Sequence, residues 1–306
     1  MIYNQQKTIK DSQRLYVNHL IRICLPPRKY INKNMLKPAK HVARTQPNNS
    51  SMNFYNWLAG IIDVKGNFDI RKSTEKKLEL KAIRIRLHNR DIRILTRIQD
   101  ILHMGRIINH KNKIYSTYIV SNEKNMSYLV NKLNGKIRIK CNSLEKACAL
   151  YNIDYIEPDY NIKNGDAYYS GLIDGKGSIV YNFSYNRIEC NLQVKHNKFT
   201  SKLNFDGLIP FLEPYTQYNK DLKYITFKFQ SVRAMIPLYE YFMQNRLYSD
   251  YKFYRVSLIK KFIDIRHYQQ NSNSIEYKIY THFMLKWIQY RNPSWTRVTF
   301  IKNLQG

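Results

Sequence analysis

Apolar and polar positions along this chain change period several times, and the changes recur in the same order twice. From residue 53, a run of helical spacing containing Trp57, Leu58, Ile61 and Ile62 ends at Asp63-Val64-Lys65-Gly66. A period of two follows: Phe68 and Ile70 alternate with Asn67, Asp69 and Arg71, and Ile83, Ile85 and Leu87 alternate with Arg84 and Arg86, as in half-buried strands joined by the charged turn 73–77. Asn89 is placed to cap a helix whose Ile94, Leu95, Ile98, Ile101 and Leu102 share one face, with Gly105 beyond its end. A second hairpin through Ile107–Ile108 and Tyr118–Val120 leads to a helix carrying Met126, Leu129, Val130 and Leu133, closed by Gly135. Residues 144–151 predict one more helix, and the polar stretch 154–166 a linker.

The pattern restarts at Tyr168-Tyr-Ser-Gly-Leu-Ile-Asp174-Gly-Lys176-Gly177. Ile179, Tyr181, Phe183 and Tyr185 alternate with Ser178, Asn182 and Ser184, and Ile188, Cys190, Leu192 and Val194 with Glu189, Asn191, Gln193 and Lys195. The expected middle helix is irregular, because residues 198–214 contain Gly207 and Pro210. Ile225, Phe227 and Phe229 mark the inner face of the next hairpin, and two long helical segments, 249–266 and 274–290, close the chain. Two copies of one stretch imply two copies of one domain. The expected division is an N-terminal extension over 1–52, a first repeat over 53–153, the linker 154–166, and a second repeat with C-terminal helices over 167–306.

Charge narrows the choice of partner. The 306 residues hold 51 Lys and Arg against 22 Asp and Glu, a net charge of +29 that repels itself unless a polyanion neutralises it. Nucleic acid is the first candidate. No apolar run reaches the roughly 20 residues of a membrane span, so no membrane partner is expected. Cys24, Cys141, Cys148 and Cys190 lack the close pairs of a zinc site, and the histidines are scattered. Residues 1–52 are rich in Lys and Arg with Asp11 as their acid, and read as an arm that orders on a polyanion; a solvated tail and an organellar targeting segment are the alternatives. Abundant Tyr, Ile, Asn and Lys is the composition of an A+T-rich coding sequence, and a mitochondrial location is expected.

The stretches LAGIIDVKG and YSGLIDGKG, each followed by two alternating strands, resemble the motif of the LAGLIDADG homing endonucleases and intron maturases in their two-motif, single-chain form. The resemblance covers residues 53–290. It implies an α+β fold: two pseudo-symmetric αββαββα repeats forming a saddle of two antiparallel four-stranded sheets, with the motif helices at the interdomain seam. Ala59, Gly60, Ser170 and Gly171 are then the small residues that let the helices approach, and Asp63 and Asp174 take an end-of-helix role. Two repeats in one chain make a homodimer unnecessary.

Family nucleases carry an Asp or Glu just before the final Gly of each motif, and these carboxylates hold Mg²⁺ at the scissile phosphates. Here those positions are Lys65 and Lys176. An ammonium group has no lone pair to give a metal. Asp63 and Asp174 stand two residues earlier, about 200° away around a helix. The resulting expectation is a chain that is not an enzyme and holds no metal, with Mg²⁺ relevant only if cleavage survives. Lys65 and Lys176 would touch phosphates directly, as would Arg71, Arg84, Arg86, Lys195 and Lys228 on the strands; plain solvated charge is the alternative for each. Tyr118, Tyr185 and Tyr224 are candidates for base stacking or for packing.

The function expected from these readings is binding of structured organellar RNA without catalysis, foremost as an rRNA-binding component of a mitochondrial ribosome beside other ribosomal proteins. A group I intron maturase is the alternative, and a site-specific DNA homing endonuclease a further one.

Overall fold

A computed structural model describes residues 47–72 and 77–298, with side chains from residue 53 onward. Most of the expected N-terminal arm and of the first charged turn lie outside these residues. Helix α1 (Pro47–Lys65) leads into a sheet of β1 (Gly66–Lys72), β2 (Leu78–His88), β3 (Arg106–Asn109) and β4 (Tyr115–Val120), with α2 (Ile92–Leu102) between its hairpins and α3 (Glu123–Leu133) and α4 (Cys141–Leu150) after them. The second repeat opens with α5 (Tyr168–Gly175) and continues through β5 (Ser178–Asn182), β6 (Arg187–Lys195), β7 (Tyr215–Tyr218) and β8 (Tyr224–Phe229). It closes with α6 (Val232–Gln244), α7 (Asp250–Ser257), α8 (Ile259–Ile265) and α9 (Ile275–Gln289).

Both sheets are antiparallel and share one topology, β1-β2-β4-β3 and β5-β6-β8-β7. The alternation read in the sequence sorts their faces. Ile83, Ile85, Leu87, Tyr118 and Val120 point into the core of the first repeat, against Ile94, Leu95 and Ile98 of α2, while Arg86 and His88 stay exposed on the other side. Ile188, Cys190, Leu192, Ile225, Phe227 and Phe229 do the same in the second repeat. Each sheet therefore has one face covered by helices and one open polar face.

Local chemistry explains the helix ends. The side chains of Asn122, Ser231 and Ser274 accept hydrogen bonds from the amides of Asn125, Ala234 and Tyr277, starting α3, α6 and α9. His103 takes a left-handed conformation to stop α2 just before Gly105.

The structure departs from the pattern in four places. Asn89 does not cap α2: it lies in a 3₁₀ turn, donates to the Lys113 carbonyl and accepts from the Ser116 hydroxyl. Strand β5 stops at Asn182, so Phe183 and Tyr185 sit exposed in the following turn. The second repeat has no middle α-helix; Asn197 binds the amides of Phe199 and Thr200, and one 3₁₀ turn stands in its place. The segment 249–266 is two short helices rather than one, parted at Leu258.

Candidate nucleic-acid interface

Helices α1 and α5 cross at their glycines. A Cβ on Gly60 would lie 2.8 Å from the Leu172 amide nitrogen and closer still to the Tyr168 carbonyl oxygen; one on Gly171 would lie 3.1 Å from the Gly60 Cα and closer still to the Trp57 carbonyl oxygen. Only glycine permits that approach. Ala59 and Ser170 are fully buried beside them. The Ser170 hydroxyl donates to the Asn245 carbonyl at 2.6 Å, inside its own repeat.

The two motif aspartates are buried and saturated with donors. Asp63 accepts from the backbone amides of Arg138 and Lys140, each at 2.8 Å, and so fixes the chain just ahead of α4. Asp174 accepts from the amides of Tyr248 and Ser249 at 2.8 and 2.9 Å and does the same for α7. Each also takes a bond across the seam. Tyr168 donates to Asp63 at 2.7 Å, and Trp57 donates through its indole nitrogen to Asp174 at 3.0 Å. Tyr168 and Trp57 both stand six residues before their own motif's Asp, so the two helices exchange equivalent bonds. Burial pushes Asp174 up to about 6 against the pull of those amides and of Lys252; Asp63 is raised for the same first reason.

Two lysines that periodicity does not single out finish the helix ends. Lys140 donates to the carbonyls of Ile62, at 2.9 Å, and Gly66, and Lys252 to those of Ile173 and Asp174 at 2.7 and 2.9 Å. They satisfy carbonyls that the end of each motif helix would otherwise leave bare. Burial holds both ammonium groups below the ordinary lysine range, against the opposing pull of Asp63 on one and Asp174 on the other. Arg138 is the other residue missed: it is buried, pairs with Asp166 at 2.9 Å and lies over the Tyr168 ring. A distant cation bonding a helix terminus leaves no local pattern in sequence.

Lys65 and Lys176 are both exposed where the helices end and the sheets begin. Partial desolvation, followed by the charges of Lys65 and Lys195, holds the Lys176 ammonium below its ordinary value. Three of the expected site residues thus share one mouth. Arg86 stands beside Lys65 in a hollow of about 550 Å³ lined also by Asn67, Arg84, His88, Tyr115 and Thr117. Its guanidinium lies over the Tyr115 ring at 4.7 Å. Arg71 and Arg84 are less free than the sequence implies, because both bond Asp69, at 2.7 and 2.5 Å, and hold its carboxyl below the usual range. Lys228 donates to Gln217 at 2.7 Å on the second sheet's open face. Tyr118 is no stacking platform: it is buried, and its hydroxyl donates to the Met104 carbonyl. Tyr185 is exposed under Arg187, and Tyr224 lies under Lys176.

A divalent cation fits this mouth poorly, since its nearest groups are ammonium donors and both motif carboxylates are turned inward onto amides. Among the described residues no group of three or more His, Cys, Asp and Glu side chains is arranged to hold a metal, and no helix is long and apolar enough to cross a membrane.

Comparison with known proteins places this geometry. A family model described as LAGLIDADG endonuclease matches residues 58–148. The intron-encoded DNA endonuclease ai2a of Dictyostelium discoideum is 25% identical over 248 residues, covering 80% of this chain and 78% of that protein. The intron-encoded RNA maturase bI4 of Saccharomyces cerevisiae is 32% identical over 138 residues, 44% of this chain and 20% of the maturase. Among solved structures, the homing endonuclease I-GzeII in complex with its DNA target superposes with a TM-score of 0.52 at 16% identity, over 78% of this chain and 99% of that one. The I-LtrWI endonuclease bound to target DNA gives 0.54 at 12%, over 77% and 98%.

These findings correct one expectation. Lysine at positions 65 and 176 implied a chain that is not an enzyme, yet the relatives that match most of its length are named endonucleases, ai2a and, at 76% of the chain, ai2b. The inference from two side chains to a lost activity is withdrawn. The ribosomal reading finds no counterpart in these names, which are those of two endonucleases and a maturase.

Proposed function

We propose that this chain is an intron-encoded protein of the LAGLIDADG family, that its saddle holds nucleic acid, and that its task is RNA maturation of a group I intron. The observation that carries this reading is the mouth of the seam, where Lys65, Lys176 and Lys195 present positive charge between two open polar sheet faces. Such a surface attracts phosphates at any sequence, and RNA maturation asks for grip on a folded polyanion. The similarity to the maturase bI4 supports it. A mitochondrial location belongs to the same proposal and rests on composition together with intron-encoded relatives.

The test is splicing of a precursor group I intron RNA by the full chain, at a Mg²⁺ concentration too low for the RNA to fold alone. Faster splicing with tight retention of the RNA is the expected result; no retention and no acceleration would refute it. A second reading, site-specific DNA endonuclease, is favoured by the relatives ai2a and ai2b. It expects a discrete double-strand cut in a duplex library with Mg²⁺.

A further inference from the structure

Away from the open sheet faces, helix α2 of the first repeat and the chain from the end of α6 into α7 of the second enclose a hollow of about 360 Å³. Helix α2 turns Ile94, Leu95 and Ile98 into the core beneath the first sheet, and brings Arg93, Arg97 and Asp100 to the hollow instead. Arg246, Tyr248, Asp250 and Phe253 line it from the second repeat. The hollow therefore belongs to the helix-covered side of the saddle. None of its charged side chains takes part in the seam or in the mouth between the sheets.

Its arginines are of two kinds. Arg93 donates twice to Asp250, at 2.8 and 3.0 Å, and Arg291, just past α9, donates to the same carboxylate at 2.6 Å. Arg97 and Arg246 have no carboxylate partner and no hydrogen-bond acceptor among the described residues. They lie instead over the rings of Tyr248 and Phe253, at 3.8 and 4.3 Å. A guanidinium held over a ring keeps the N–H groups of its edge for another partner. The Arg97 Nε is shut off from water and unpaired, and a buried donor in that state costs free energy until something brings it an acceptor. Packing between the repeats accounts for the rings and leaves that donor unexplained.

Charge narrows the acceptor. With Arg291 included, four guanidinium groups meet the two carboxylates Asp100 and Asp250, which leaves two positive charges over. A phosphate monoester carries close to two negative charges near neutral pH and offers three strong acceptor oxygens, and arginine forks bond such oxygens in pairs. A phosphodiester or a carboxylate brings one charge. The volume is at the lower end of the range for small-molecule sites, roughly 300–1,000 Å³, and suits a phosphate with the sugar that bears it.

We infer that this hollow is a second anion site, which takes the phosphate monoester of a nucleotide, free or at the end of a strand. Arg97 and Arg246 are its donors, and the cluster of Arg93, Asp250 and Arg291 fixes the charge beside them. The site does not depend on what the saddle holds.

The test uses the full chain at physiological salt, with two pairs of probes. Adenosine 5′-monophosphate is compared with adenosine by calorimetry, and a short 3′-labelled single strand bearing a 5′-phosphate with the same strand bearing a 5′-hydroxyl by fluorescence anisotropy. A preference of about tenfold for the phosphate is expected in at least one pair; in the first alone it identifies a free nucleotide, and in the second a strand end. Arg246→Gln, alone and with Arg97→Gln, should abolish the preference, each variant first shown to melt as the wild type does. Arg246 is exposed, so the single variant decides the matter even where the double variant does not fold. Lys65→Gln with Lys176→Gln should weaken both strands alike and keep the preference. No preference in either pair would overturn the inference, as would one that survives the arginine variants or is lost with the two lysines.

Discussion

Replacing Gly60 with alanine tests the seam at its tightest point. The new Cβ would stand 2.8 Å from the Leu172 amide nitrogen and 3.1 Å from the Gly171 carbonyl carbon, with the Tyr168 carbonyl nearer still. These are backbone atoms of α5 and cannot rotate away, so the helices must part by a sizeable fraction of an ångström. Overpacking of this kind costs about 1–3 kcal/mol. Parting also stretches the bonds that cross the seam, Trp57 to Asp174 and Tyr168 to Asp63, at about 1 kcal/mol each. Alanine's better helix propensity returns about 1 kcal/mol. The net loss is about 3 kcal/mol, which for a domain of this size lowers the melting temperature by about 6–12 °C. Calorimetry or circular dichroism of Gly60→Ala beside Gly165→Ala reads it, since a Cβ on Gly165 meets nothing within 4 Å. Equal melting temperatures for the two variants would refute the reasoning.

Other outcomes follow from the same geometry. Asp63→Ala leaves the amides of Arg138 and Lys140 and the Tyr168 hydroxyl without their acceptor, and should cost about 3 kcal/mol in a urea titration; a loss under 1 kcal/mol would mean that water replaces the carboxylate. The Asp174 carboxyl, held at about 6 in the fold, ionises near 4 when unfolded. Between those values the folded chain keeps a proton that the unfolded chain releases, so this group's contribution to stability falls as pH rises from about 4 to about 6 and stays low above it. The stability difference between wild type and Asp174→Asn should decline over that window, and a flat difference would count against the assignment. Changing Lys65 and Lys176 together to glutamine should lower the dependence of log affinity on log salt by about 1.5 while leaving the melting temperature in place. An unchanged salt slope in filter binding would remove both lysines from the interface.

Much of this was legible in residues 57–66 and 168–177, because a repeated change of period from helix to strand has few structural solutions. The face assignment of Arg86, Lys195 and Gln193 came from alternation alone, since a strand that buries Ile85 or Val194 must expose its neighbour. What stayed hidden depended on contacts distant in sequence. Lys140 and Lys252 look like ordinary surface lysines until the chain returns them to a motif helix some 78 residues away. Arg71 and Arg84 look like free cations until Asp69 is seen between them. The missing middle helix was signalled by Gly207 and Pro210, but the 3₁₀ turn that replaces it depends on the Asn197 side chain.

Within each motif the fold and the chemistry sit on different residues. Gly60, Asp63, Gly171 and Asp174 are fixed by backbone contact and by amides they must satisfy, so they carry the likeness to the family whatever the chain does. Lys65 and Lys176 touch none of those contacts and are exposed, which leaves the mouth free to change charge without disturbing the seam. Exchanging both for aspartate should therefore leave the melting temperature within about 2 °C, since exposed substitutions away from packed features change stability little. It should also put two carboxylates where Lys195 remains the nearby cation, and hard divalent ions prefer oxygen ligands. Affinity for duplex DNA should fall without Mg²⁺ and recover when it is added, while the wild type binds alike in both conditions. Mg²⁺-insensitive binding by the double variant would mean that positions 65 and 176 do not face a common phosphate, and would move the centre of the interface away from the seam.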